Sequence, residues 1–176
     1  QTRRQSADRA ALQMVDSRTP LPLIAFIGFG LAVAVDLIGL IVTGVSVRVP
    51  ELTSFGAFTP NFLTWGVAIV FMLAIQPVAD GLVFRGVAFP ALRAAAGGAF
   101  GWFISGVLYG VFHYFVYPPA YAQGGITPLW YGMIAPILEG LIYGAVRAAT
   151  GSTRAAIVAH MAFGLFALAK LLLVSG

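Results

Sequence analysis

Six ionisable side chains interrupt the long apolar stretches of this sequence: Asp36, Asp80, Arg85, His113, Glu139 and His160. Each would cost on the order of 2.5–3.5 kcal/mol at the centre of a membrane, so each needs a chemical role or a specific partner there. A carboxylate can take a proton from water, and nearby histidines can orient that water, bind a metal ion or stabilise an oxyanion. We therefore predict a site built from a carboxylate and one or two histidines inside the apolar part of the chain.

The spacing around one predicted turn relates a carboxylate to a histidine. Asp80 lies 17 residues before Gly97, and His113 lies 15 residues after Gly98. At a helical rise of about 1.5 Å per residue, both lie roughly 23–25 Å from the turn, so the two side chains are expected at the same depth. His160 lies much closer to the next predicted turn, at residues 150–153. His160 can lie beside the other two side chains only if its helix begins deeper in the membrane than the predicted turn between the second and third spans.

Helical spacing also predicts which side chains share a face. Tyr109 and His113 are four residues apart and lie on one face, which makes Tyr109 a candidate binding residue. Asp80 and Arg85 are five residues apart and point about 140° away from each other on a regular α-helix. Arg85 must therefore snorkel to the lipid headgroups or pair with a carboxylate on another helix. The candidate carboxylates are those of Glu139 and Asp36.

The composition is that of an integral membrane protein. The chain is 60% hydrophobic and only 9% charged, and its mean hydropathy is +0.93. Soluble domains carry about 25% charged residues, so the composition excludes an ordinary soluble enzyme and a disordered chain. The absence of cysteine excludes a disulfide scaffold. The net charge of +4 indicates basic residues at one membrane face rather than binding to nucleic acid.

The elements that must position these side chains are membrane-spanning helices. A span needs about 20 mostly apolar residues, and five stretches meet this requirement without the alternation typical of strands. They cover residues 21–47, 62–96, 98–116, 128–146 and 155–174. We predict an all-α, polytopic transmembrane bundle in which residues 20–176 form a single domain, preceded by a polar cytoplasmic segment at residues 1–19. The chain begins with Gln1 and does not resemble a signal peptide there, so we expect a processed or incomplete N-terminus.

The distribution of basic residues predicts the orientation. Alternating five spans from a cytoplasmic N-terminus places most arginines at the cytoplasmic face, as the positive-inside rule requires, and places the C-terminus outside. These arginines are Arg3, Arg4, Arg9, Arg18, Arg85, Arg93, Arg147 and Arg154. Arg48 falls in the first outer loop, and Lys170 lies near the outer end of the last span. A belt of aromatic residues is predicted at the outer face: Trp65, Tyr114, Tyr117, Tyr121, Trp130 and Tyr131.

The order of these residues resembles the CPBP family of intramembrane proteases, which includes the CAAX prenyl endopeptidases. The family's first motif is a Glu-Glu pair, three residues and Arg, and residues 80–86 of this chain are Asp-Gly-Leu-Val-Phe-Arg-Gly. Its second motif is Phe, three residues and His, and it is matched by Tyr109 and His113. Its third motif is His, three residues, and Asn or a similar polar residue. His160 matches the first position of this motif, and Gly164 stands at the last. The resemblance covers roughly residues 62–172.

The resemblance implies an intramembrane endopeptidase of the bacterial inner membrane, with peptide or prenyl-peptide substrates. The family assigns activation of water to the first Glu and the second-motif His, and Asp80 and His113 take these positions here. Gly81 replaces the second Glu, and Gly164 replaces a proposed oxyanion donor. The resemblance therefore predicts the family fold with a damaged site.

Four functions stay open at this point. The first is a catalytically impaired membrane protein that acts as a subunit of a larger membrane complex, an assembly factor or a partner-binding scaffold. The second is an active endopeptidase, with catalytic residues Asp80, Arg85, His113 and His160 and binding residues Tyr109 and Glu139. Whether this endopeptidase uses a divalent metal stays open, and the candidate ligands are Asp80, His113 and His160. The third is a protein that binds haem or a chlorophyll-type pigment through its two histidines. The fourth is a transporter, which the lack of an evident inverted repeat disfavours.

Overall fold

The computed structural model describes residues 12–46, 61–117 and 124–174, and within these ranges it contains five long helices and no strand. The helices are α1 (Leu21–Thr43), α2 (Phe62–Ala96), α3 (Gly98–Val116), α4 (Thr127–Thr150) and α5 (Thr153–Val174). All five are long and apolar enough to cross a membrane, which confirms the predicted all-α transmembrane bundle. Helix α1 ends earlier than predicted because Gly44, at φ 72°, adopts the left-handed conformation that terminates a helix.

Helix α2 is irregular where the predicted site lies. It contains π-helical turns at Phe71–Ile75 and Gly81–Ala88. A proline follows each of these turns within two residues, and a proline removes a backbone donor and crowds the turn before it. In a π-helical turn the hydrogen bonds join residues five apart, so the separation of about 140° predicted for Asp80 and Arg85 on a regular α-helix does not apply.

Glycines bring α3 and α4 into close contact. A Cβ atom on Gly140 would lie 2.9 Å from the carbonyl oxygen of Gly106, and one on Gly110 would overlap the side chain of Ile137. Glycines at such positions let helix backbones approach closely in lipid. The close approach buries several aromatic side chains between the two helices.

The turn between α4 and α5 lies beside the middle of α2 rather than beside its end. The Nε atom of Arg147 donates to the carbonyl oxygen of Arg85 at 3.3 Å, and Ile157 packs against Gly81. Helix α5 therefore begins deep in the bundle. This is the condition under which His160 reaches the predicted site.

The polar segment before α1 covers this turn. The Thr153 amide donates to the carbonyl oxygen of Gln13 at 3.0 Å, and the Thr153 hydroxyl donates to that of Leu12 at 2.7 Å. Arg154 forms an ion pair with Asp16. These contacts satisfy donors at the start of α5 that have no partner inside the helix.

Several residues predicted at the membrane faces have side chains buried within the bundle. Arg147 and Lys170 are buried, and so are Trp130 and Tyr131. A π-helical turn at the start of α4 packs the last two against Gly39 of α1. The predicted aromatic belt stays a prediction. The remaining predictions on Arg3, Arg4, Arg9, Arg48 and Tyr121 lie outside the described residues.

Candidate functional site

Asp80 and His113 form a buried pair. The Oδ2 atom of Asp80 lies 3.2 Å from the Nε2 atom of His113, and the two residues are 8% and 2% exposed. They come from α2 and α3, which are joined by the turn at Gly97. The contact predicted from their equal distance to this turn is therefore present. A carboxylate and an imidazole at this distance can accept and hold a proton from a water molecule.

Tyr109 connects His113 to His160. Its ring centroid lies 4.1 Å from that of His113, and its hydroxyl oxygen lies 3.4 Å from the Nε2 atom of His160. The His160 ring stacks on the Tyr143 ring, with 4.6 Å between centroids and 19° between planes. Asp80, His113, Tyr109 and His160 thus form one contiguous group, called here the histidine cluster.

Arg85 lies beside the histidine cluster, and no ion pair joins it to a carboxylate of the described residues. It is 1% exposed, and its Nη2 atom donates to the carbonyl oxygen of Gly140 at 2.9 Å. Its guanidinium carbon lies 4.5 Å from the ring centroid of Tyr109 and 5.3 Å from that of Tyr143. The faces of these rings stabilise the cation. Its Nε and Nη1 atoms make no hydrogen bond within the described ranges.

The two carboxylates predicted to pair with Arg85 have other partners. Glu139 accepts a hydrogen bond from the Tyr143 hydroxyl at 3.3 Å, and Asp36 forms an ion pair with Lys170. Among the described residues Arg85 forms no ion pair within contact distance, although the charges of Glu139 and Asp80 attract its guanidinium. The alternative that Arg85 snorkels to the headgroups is wrong, because its side chain is buried. Lys170 was missed as a partner of Asp36 because α1 and α5 are distant in sequence.

A small cavity with a mixed apolar and polar lining lies next to His160. It has a volume of about 50 Å³ between α1, α2, α4 and α5. Its polar lining includes Asp36, Gln76, Glu139, Tyr143 and His160. Asp80 and His113 are not among the described residues that line it. A cavity of this size with polar groups in its lining has room for one or two water molecules.

Gln76 is a candidate site residue that the sequence analysis missed. It is 3% exposed, and its Oε1 atom has no hydrogen-bond partner among the described residues. The available signal was its place inside an apolar span, one helical turn before Asp80. An unpartnered buried carbonyl oxygen is costly, so a water molecule in the cavity would stabilise it.

The sequence matches the model of a known family. The model described as type II CAAX prenyl endopeptidase Rce1-like matches residues 62–166, which are more than half of the chain and include the histidine cluster. This chain belongs to that family. The match confirms the resemblance to the CPBP family, which includes the CAAX prenyl endopeptidases. Neither the curated proteins nor the solved structures compared with the chain gave a match.

In this Rce1-like chain, the two glycines that depart from the family motifs pack against neighbouring helices. A Cβ atom on Gly81 would overlap the side chain of Ile157, and one on Gly164 would overlap the carbonyl oxygen of Met72. Neither position has room for the carboxylate or the amide that the motifs carry there. The glycines instead allow α2 and α5 to pack closely.

The histidine cluster of this Rce1-like chain does not have the arrangement of a metal centre. Within the described ranges, no three histidine, cysteine, aspartate or glutamate side chains converge as ligands. Asp80 and His113 contact each other, and His160 faces Tyr109. Zinc sites use at least three protein ligands, so the residues predicted as candidate metal ligands do not fit such a centre. The pigment-binding alternative stays a prediction.

Proposed function

We propose that this chain is a catalytically impaired Rce1-like membrane protein that serves as a membrane subunit, assembly factor or partner-binding scaffold. One observation carries the proposal: the carbonyl oxygen of Met72 lies where a side chain at residue 164 would be. The family motif has an amide at this position, which can donate to an oxyanion. A carbonyl oxygen can only accept a hydrogen bond, so it would repel the negative charge that develops during hydrolysis.

The expected loss of activity is large. One missing oxyanion donor costs about 2.7–4 kcal/mol, which is a hundred- to thousandfold in rate. Asp80 is also one methylene shorter than the Glu of the family motif, and a misplacement of about 1 Å can cost a further hundredfold. The two losses need not add, but both act in the same direction.

The cavity next to His160 supports the same proposal. Its volume of about 50 Å³ accommodates water. His160 lines this cavity, whereas Asp80 and His113 do not. The described lining of the cavity therefore offers water to His160 rather than to the carboxylate that would have to activate it.

An active endopeptidase is the second candidate, and the contact between Asp80 and His113 favours it. In this mechanism Asp80 is the general base, and His113, at 3.2 Å, orients the attacking water. His160 is the electrophile that stabilises the oxyanion, with the Tyr109 hydroxyl beside it. Arg85 stays a positioning residue, because its guanidinium group packs on Tyr109.

A cleavage assay distinguishes the two candidates. The purified chain, in detergent and in vesicles, is incubated with a prenylated CAAX peptide, and an active CAAX prenyl endopeptidase serves as the positive control. We expect no more cleavage by the unmodified chain than by its His113→Ala variant. Cleavage that disappears in both Asp80→Asn and His113→Ala would overturn the proposal and establish the second candidate.

The partner role has a test of its own. Blue native electrophoresis of gently solubilised source membranes should show the chain in an assembly well above its own 18.5 kDa. The His113→Ala variant should enter the same assembly, because the proposed role does not use the histidine cluster. A chain that migrates alone would argue against a partner.

A further inference from the structure

A groove on the outside of the bundle is formed by two adjoining cavities. One has a volume of about 470 Å³ and lies between α2, α3 and α4, and the other has about 300 Å³ and lies between α1, α3 and α4. Trp102 and Ala145 line both, so the two form one continuous depression, called here the Trp102 groove. The Nε1 atom of Trp102 donates to the carbonyl oxygen of Leu141 at 2.9 Å, which holds the indole against α4.

The two ends of the Trp102 groove differ in polarity. Arg93 and Gly98 lie at one end, beside the turn that joins α2 to α3. Arg93 is exposed and makes no ion pair with another described residue. The other end is aliphatic and is lined by Leu31 and Ile38 of α1 and by Leu138 of α4. No acidic side chain is among the described residues that line either cavity.

A second arginine adds to the positive potential at the polar end. The guanidinium carbon of Arg147 lies 5.8 Å from the ring centroid of Phe89, which lines the groove. Asp16, at the same end of the bundle, already pairs with Arg154. The polar end is therefore complementary to an anionic headgroup, since basic pockets between helices attract anionic lipids.

The Trp102 groove has the length of one lipid leaflet. Leu138 and Ala149 mark its ends on α4, and the 11 helical steps from one to the other span about 16 Å along the helix axis. Half of a hydrocarbon core of about 30 Å is about 15 Å. The small side chains of Ala145 and Ala148 keep the floor of the groove low, so an acyl chain can lie against α4.

We propose that the Trp102 groove binds one anionic glycerophospholipid. Its phosphate lies at Arg93, and one acyl chain runs past Trp102 and Ala145 toward α1. The arginine selects for headgroup charge, whereas the aliphatic end accepts any acyl chain. The site is separate from the histidine cluster and does not depend on whether the chain cleaves peptides.

Quenching of Trp102 fluorescence by brominated lipids tests the proposal. The substitutions Trp65→Phe and Trp130→Phe leave Trp102 alone among the 3 tryptophans of the chain. The protein, in phosphatidylcholine vesicles, is titrated with brominated phosphatidylglycerol or with brominated phosphatidylcholine. We expect half-maximal quenching at an about fivefold lower mole fraction of phosphatidylglycerol. Arg93→Gln should abolish this preference, and Arg154→Gln, the matched control outside the groove, should retain it.

Three results would overturn the proposal. The first is equal quenching by the two lipids. The second is an equal loss of the preference for phosphatidylglycerol in Arg93→Gln and Arg154→Gln, because the overall positive charge of this surface would then explain the preference. The third is displacement of the lipid by an equimolar prenylated peptide, which would make an isoprenoid the occupant.

Ala148→Leu fills the groove without changing its charge and should weaken quenching by both lipids. Native mass spectrometry of the chain with all its tryptophans provides a second measurement: phosphatidylglycerol should stay bound, and Arg93→Gln should release it.

Discussion

At the scale of single residues, two glycines limit the chemistry of the histidine cluster. Gly81 and Gly164 stand where the family motifs carry a carboxylate and an amide, and a neighbouring helix fills the space at both positions. Residue 81 offers no carboxylate, and the rings of Tyr109 and Tyr143 stabilise the buried Arg85. The carbonyl oxygen of Gly140 and the charges of Asp80 and Glu139 add to this stabilisation. The chemistry of the site is therefore coupled to the packing of α2 against α5.

Substitution of Gly164 should reveal this coupling. In Gly164→Ala the added Cβ atom would overlap the Met72 carbonyl oxygen, which belongs to the backbone and cannot move aside alone. We expect a loss of about 1–3 kcal/mol in the free energy of unfolding. Gly30→Ala is the matched control, because its Cβ atom would meet nothing within 4 Å and alanine favours a helix by up to about 1 kcal/mol. Thermal unfolding in detergent provides the measurement, and equal stability of the two variants would contradict the predicted overlap.

At the scale of the helices, an ion pair between Asp36 and Lys170 joins α1 to α5 inside the bundle. The two side chains are 21% and 7% exposed. The Lys170 ammonium also lies 5.5 Å from the ring centroid of Tyr131, on α4. Removal of either partner leaves a buried charge without compensation, whereas replacement of both by apolar side chains does not.

We therefore expect the two single variants to be less stable than the double variant. Asp36→Leu or Lys170→Met alone should lower the free energy of unfolding by about 3–5 kcal/mol. Asp36→Leu combined with Lys170→Met should recover most of that loss. The exposed pair of Asp16 and Arg154 is the control, and its disruption should have little effect. A double-mutant cycle measured by unfolding in mixed micelles tests this, and additive losses would show that the pair does not form.

At the scale of the whole molecule, the turns of α2–α3 and α4–α5 and the segment before α1 lie on the same side of the bundle, with the α4–α5 turn set deeper than the α2–α3 turn. Arg93 and Arg154 are exposed on this side. We propose that this side faces the cytoplasm, since the positive-inside rule places exposed arginines there. The connection before α4 would then lie on the opposite side of the membrane.

Single cysteines can establish this orientation, because the chain has no cysteine of its own. Ala96→Cys and Ala149→Cys place a thiol at the arginine-bearing end, and Gly124→Cys places one before α4. A membrane-impermeant maleimide should label the first two only in inverted vesicles and the third only in spheroplasts. The reverse pattern would show that the N-terminus lies outside, and labelling of all three from one side would contradict the five-span topology.

Hydropathy and residue spacing were sufficient to predict the features of the fold that depend on local properties of the chain. Apolar runs of about 20 residues in a chain with so few charges are typical of membrane spans. In lipid the backbone of such a run must form a helix, so five spans and their approximate ends were predictable. The contact between Asp80 and His113 was also predictable, because both lie at equal helical distance from one tight turn.

Contacts between helices that are distant in sequence were decided by the tertiary structure alone. The depth at which α5 begins brings His160 to Tyr109 and Lys170 to Asp36. The same packing surrounds Arg85 with aromatic rings where an ion pair was predicted. Helical periodicity predicts the face on which a side chain lies, but not how far one helix is shifted along another. That shift depends on the glycine contacts between helices and on the π-helical turns of α2, neither of which follows from hydropathy.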